Sequence, residues 1–226
     1  MITLTAENLI LALKEFLVVW ANQILYYNEI YSPEIFEKYK SFGVIIFKSR
    51  NPAVNSYLEK FVNSFIEILL TDYGGKVRQL VMLVYDSKSN YARHKYVIQF
   101  NDLINLSTAL PDLSFLTTEN PTSETKIDIS TLSWDEVYTQ LRSALFQHLN
   151  ELRRKSLSIK KSDDLFFKTI IEIDDSFNLD ALPLKSEWVR ISNSLKGNKT
   201  PVKGFAPIGE VSLAVFNFDL HNEYIS

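Results

Sequence analysis

The residue types that most often cut, transfer or coordinate are sparse in this chain and stand in no recognisable motif. The histidines, His94, His148 and His221, are spread across the sequence with no HxH or HxxxH pair, so a metal site has no starting ligand pair. Cysteine is absent, which removes thiolate nucleophiles, disulfides and Cys-ligated zinc. The six glycines form no GxGxxG, GxxxxGK[ST] or GxSxG motif, so neither a phosphate cradle nor a nucleophile elbow is written in the chain. No cofactor is expected.

Carboxylates do occur in groups: Asp163-Asp164, Glu172 with Asp174-Asp175, and Asp135-Glu136. Paired acids can divide general-acid and general-base roles. Here the first two groups flank a predicted strand in turn-like surroundings, where Asp and Glu are commonly solvated. The third falls in the first turn of a predicted helix, where acids suit the dipole. A small hydrolase built on these clusters is a distant alternative.

The charge balance excludes another class. Formal net charge is -3, whereas a protein that grips a nucleic-acid backbone shows a basic excess or stripe. The densest basic run, Arg153, Arg154, Lys155, Lys160 and Lys161, reads as a solvated helix end. Direct nucleic-acid binding is not expected. The first eight residues lack the features of a signal peptide, and the most apolar stretch, 16–21, is short of a membrane span. No membrane partner is expected.

What remains is recognition through side-chain shape, for which fifteen Phe, eleven Tyr and three Trp give ample material. The elements that must carry them can be read from periodicity. Residues 6–31 form a long helix, apolar on most of its circumference and therefore central, stopped by Ser32-Pro33. Residues 43–48 form a strand. Asn51-Pro52 caps a second helix with Val54, Tyr57, Leu58, Phe61, Val62, Phe65, Ile66 and Leu69 at three-four spacing, stopped by Gly74-Gly75. Residues 77–85 and 91–100 make a hairpin about a turn at 86–90. A long irregular connection spans 103–126. Ser133 and Glu136 form a capping box for a third helix carrying Val137, Leu141, Leu145, Leu149 and Leu152. Strands follow at 165–173, 188–191 and 211–220, with a polar loop at 193–203. Segregated helices and strands predict an α+β fold, with three helices on one mostly antiparallel sheet. Pattern alone leaves the last third open. It is either an edge hairpin with an ordinary loop or a movable strand able to clasp a peptide.

Four segments resemble one known family. EFLVVWANQILYYNEIYSPEIFEK (15–38) is similar to the first helix of HORMA-domain proteins. NPAVNSY (51–57), QLRSAL (140–145) and YVIQF (96–100) match the second helix, third helix and hairpin. Within the family the chain looks most like the branch that serves DNA polymerase zeta as accessory subunit. The resemblance implies one domain over 1–226, with a core at about 6–175 and a mobile "safety belt" at about 176–226 that closes over a partner peptide added as a strand. It implies a nuclear, non-enzymatic adaptor in DNA repair by translesion synthesis. The partners would be a Pro-containing peptide of the polymerase zeta catalytic subunit and the C-terminal domain of a scaffold translesion polymerase. A spindle-checkpoint adaptor with other closure peptides is the alternative within the family.

By the same resemblance Tyr57 and Trp188 pack on the peptide, although Tyr57 also lies on the apolar stripe and reads equally well as core. Arg142, with Glu29 and Lys38, matches a homodimer interface through the third helix; an exposed helix charge without energetic role is the plainer reading. Phe205, Phe216 and Phe218 match the belt surface for the second partner, while an ungapped register puts Asp219 and His221 there instead.

Overall fold

The structure is a computed structural model that describes residues 4–70, 77–89, 91–103, 132–156, 164–174, 202–213 and 216–225. Helix α1 (Ala6–Tyr27) opens on Thr5, whose hydroxyl accepts from the Asn8 amide at 3.2 Å. It ends four residues earlier than its apolar run suggests. Asn28 caps it, donating from Nδ2 to the Ile24 carbonyl at 2.8 Å, and Glu29 then turns the chain at φ 52°. The helix stops on this cap, before Ser32-Pro33 is reached.

A short 3-10 turn (Pro33–Ile35) leads into β1 (Phe36–Ser41) and β2 (Val44–Ser49), an antiparallel ribbon outside the main sheet. Phe42 and Gly43 between them both have positive φ, 47° and 69°, the signature of a two-residue type I′ hairpin turn. Phe42 is buried against Phe16 at 6.3 Å between ring centroids and against Tyr138 at 6.0 Å, which offsets its strained backbone. The free side of β2 is closed by α1. Gln23 Oε1 accepts from the Phe47 amide (3.0 Å), its Nε2 donates to the Phe47 carbonyl (2.8 Å), and Asn22 Oδ1 accepts from the Ser49 amide (3.1 Å). Two buried helix amides thus stand in for a neighbouring strand.

Helix α2 (Pro52–Leu70) starts as the sequence predicts, with Asn51 Oδ1 accepting from the Ala53 amide at 2.9 Å. Strands β3 (Val77–Asp86) and β4 (Ala92–Leu103) form the expected hairpin. Helix α3 (Trp134–Ser156) begins on Ser133, which accepts from the Glu136 amide at 3.2 Å. Strand β5 (Leu165–Ile173) follows as expected. The predicted single strand over 211–220 is in fact two: β6 (Gly204–Ser212) and β7 (Phe216–Tyr224). Pro207 hides β6 from a pattern reading, and it sits at a ladder irregularity where it can be tolerated. Leu103, expected to open the long connection, is the last residue of β4; the rest of that connection (104–126), the Gly74-Gly75 stop, the strand at 188–191 and the loop over 193–201 lie outside the described residues.

The main sheet is antiparallel throughout, in the order β5-β3-β4-β7-β6. Its inner rows, Leu80, Met82 and Val84 on β3, Ile98 and Phe100 on β4, and Phe216, Phe218 and Leu220 on β7, form one buried core with the three helices. This is the α+β arrangement expected from the sequence. α1 is long and apolar enough, by length and composition, to cross a bilayer. Here those side chains are the centre of the core, with Leu9, Leu13, Phe16, Leu17, Trp20, Ile24 and Leu25 all buried.

Candidate functional site

β5 is an end strand. Among the described residues it pairs with β3 alone, which leaves a row of main-chain donors and acceptors along its other side. The helix-facing side of this edge is lined by aromatics. Tyr57, in the second turn of α2, leans over the strand. Its hydroxyl is 3.1 Å from Thr169 Oγ1 and its ring meets Phe167 edge-on at 5.6 Å. Tyr31 approaches Phe167 from the end of the α1 connection at 6.4 Å. Burial, with Tyr57 close by, raises the pKa of the Tyr31 hydroxyl. On the opposite side Phe166 is exposed and packs on Tyr85, over which Lys168 is held at 4.4 Å.

Tyr57 is 44% exposed. It is therefore a surface aromatic and not part of the buried α2 stripe. Trp188 lies outside the described residues. Phe167, Thr169 and Tyr31 were not singled out by their spacing; the doubled Phe166-Phe167 in a short strand, one ring for each face, was the available signal.

The acidic clusters do not converge. Asp163 and Asp175 lie outside the described residues. Asp164 forms an ion pair with Lys88 at 2.5 Å, and Asp174 with Arg78. These acids stand at opposite ends of β5, roughly 30 Å apart at the rise of an extended strand. Asp135 and Glu136 are exposed at the start of α3. Among the described residues no three His, Cys, Asp or Glu side chains group as metal ligands.

Glu29, Lys38 and Arg142 are all exposed. They belong to the turn after α1, to β1 and to α3. Arg142 lies beside the Phe42-Gly43 turn, with its guanidinium 3.6 Å from where a Gly43 Cβ would stand.

The surface expected at Phe205, Phe216 and Phe218 needs correcting. Phe205 is 61% exposed, but Phe216 and Phe218 are 2% and 0% exposed. Phe218 packs between Phe16 (5.7 Å) and Phe100 (5.6 Å). Alternation along β7 turns these rings inward and sends Asp219 and His221 to the other face. There His221 packs on Phe205 at 5.0 Å. This is the face arrangement that the ungapped register implied.

No family model matches the chain. It is 29% identical over 136 residues to the DNA polymerase zeta processivity subunit of Schizosaccharomyces pombe, covering 60% of the chain and little more than half, 56%, of that relative. It is 24% identical over 197 residues to the subunit of the same description from Saccharomyces cerevisiae, covering 81% of the chain and 70% of the relative. Solved structures with a similar fold include a chain of the mitotic checkpoint complex (TM-score 0.64, 12% identity, 95% of this chain and 97% of that one). Another is C. elegans HTP-2 bound to an HTP-3 closure motif (TM-score 0.57, 10% identity, 95% and 84%). A third is C. elegans HTP-1 bound to a HIM-3 closure motif (TM-score 0.57, 12% identity, 94% and 88%). The chain carries the HORMA fold and is similar in sequence to the DNA polymerase zeta processivity subunits of two yeasts.

Proposed function

We propose that this chain is a non-catalytic adaptor subunit of translesion DNA polymerase zeta, acting in the nucleus. It binds an extended, proline-containing peptide of the catalytic subunit along the outer edge of β5 and holds it beneath its own C-terminal segment. The observation that carries this reading is the outer edge of β5, unpaired among the described residues, with Tyr57, Tyr31 and Phe167 gathered beside it. An added strand gains main-chain hydrogen bonds along that edge, and the aromatic cluster gives a proline or other apolar side chain a place to rest. Trp188, from the segment that would close over the peptide, supplies a second anchor.

The sequence similarity to two polymerase zeta subunits supports this identity of the partner over a checkpoint closure peptide. On the far face, Phe205 with His221 and Asp219 forms the surface for a scaffold polymerase. Arg142, Lys38 and Glu29 form the surface for a second copy. A belt that must reopen before release slows dissociation far more than association.

Co-expression with the catalytic subunit from the same organism tests the reading. Recovery of a stable complex that is weakened on Tyr57→Ala is the expected result. Recovery of kinetochore proteins in place of polymerase subunits would favour the checkpoint alternative.

A further inference from the structure

The inner row of β7 is apolar at one end and polar at the other: Phe216, Phe218 and Leu220, then Asn222 and Tyr224, all buried. The polar end is fully engaged. Tyr224 donates its hydroxyl to Glu151 Oε1 on α3 at 2.7 Å, and Asn222 Nδ2 lies 3.4 Å from the same hydroxyl. Glu151 is itself gripped by Arg154 through two bonds of 2.6 and 2.7 Å. Lys155 Nζ stands 3.9 Å from the Tyr224 ring centroid. The ring edge meets His94 on β4 at 5.4 Å. His94 Nδ1 donates to Asn28 Oδ1 at 2.8 Å, and the same amide bonds the Tyr96 hydroxyl. One continuous cluster thus ties the last strand to α3, to β4 and to the cap of α1.

This placement matters because of how the C-terminal hairpin is attached. Among the described residues β6 pairs with β7 alone, and β7 pairs on its other side with β4 alone. The two strands can leave the sheet as a unit without breaking the β5-β3-β4 ladders. A slide by two residues would preserve which side chains face inward, so the apolar half of the row cannot by itself define the seat. The polar half can. In any other register the Tyr224 phenol would sit in the buried row without its Glu151 acceptor, which is costly in a dry interior. Other side-chain ties exist, Ser212 amide to Gln140 (2.6 Å), Lys95 to Glu223 (3.3 Å) and Asn101 to Asp219 (2.7 Å), but none lies in the buried row.

We propose that the Tyr224–Glu151–His94–Asn28 cluster is the latch that fixes the C-terminal hairpin in its seat and register and limits how often it opens. Its purpose rests on the adaptor reading, in which the C-terminal segment must leave and return. The latch itself is a property of the free chain and is tested there, so it can fail without bearing on peptide binding.

The test is native-state amide exchange on the full chain, comparing the parent with Tyr224→Phe, which removes one hydroxyl and keeps the ring. The expected result is exchange about ten- to hundred-fold faster across β6 and β7, as for loss of a hydrogen bond to a charged group, with β3 and β5 unchanged. Glu151→Gln keeps an acceptor for the phenol and is expected to give an intermediate acceleration. Unchanged exchange in β6 and β7, or equal acceleration over the whole sheet, would overturn the proposal. So would a Glu151→Gln effect larger than that of Tyr224→Phe, which would assign the role to the Arg154–Glu151 pair.

Discussion

Lowering the pH from 7.5 to 5.0 should cost this fold on the order of 4 kcal/mol, because two of its histidines are buried in the neutral form. Burial, with Lys155 and Arg93 nearby, pushes His94 from 6.5 to about 4. Burial pushes His148 to about 3, opposed only by Glu151. His148 lies between Trp20 and Tyr96, each 6.2 Å away between ring centroids, and neither ring nitrogen has a hydrogen-bond partner among the described residues. The sign follows from proton uptake. Below pH 6.5 the unfolded chain binds protons that the folded chain refuses, so stability is full above that pH and is lost as the pH falls toward the folded values. At pH 5.0 each histidine accounts for about 2 kcal/mol. Depressed carboxylates do not obscure the window. Asp86, held at about 2 by the Ser89 amide and by Arg93, loses its contribution only at lower pH. Urea unfolding followed by tryptophan fluorescence at the two pH values gives the difference directly. His148→Leu should roughly halve it while leaving stability at pH 7.5 equal or higher. A total loss below about 1 kcal/mol, or the same loss in His148→Leu, would refute the reasoning.

Three further outcomes are expected. Trp188→Ala should weaken capture of the catalytic-subunit peptide by at least ~2 kcal/mol, and Tyr57→Ala by about 1–2 kcal/mol, both by calorimetry; unchanged affinity removes the residue from the site. Arg142→Ala should leave the melting temperature unchanged and convert a dimer to a monomer by light scattering; a mass that stays dimeric counts against that surface. Gly43→Ala should destabilise by about 1–2 kcal/mol in urea, since φ is +69° and the new Cβ would stand 2.8 Å from the Tyr138 hydroxyl.

Elements that bury one continuous face were legible in the sequence. The three helices, the β3-β4 hairpin and β5 each carry an apolar period that packing then uses. β1 was missed because Glu37, Lys38, Tyr39 and Lys40 are all exposed and only the end residues Phe36 and Ser41 are buried, so there was no period to read. Its turn was missed because Phe42 holds a conformation usually given to Gly, Asn or Asp. At the candidate site, Tyr57 was found through family resemblance; its spacing alone also fitted the core. The buried cluster was invisible because Asn28, His94, Glu151 and Tyr224 are brought together only by the order of the sheet. A hint was present in Asn222 and Tyr224, two polar residues continuing an inward apolar row.

The outer edge of β5 as the peptide seat is best tested by amide exchange on the chain co-expressed with the proposed partner, a polymerase zeta catalytic subunit, compared with the chain alone. Residues 165–173 should become strongly protected in the complex, with Tyr57→Ala reducing that protection. A complex that forms while β5 exchanges as it does in the free chain would mean that the partner binds elsewhere.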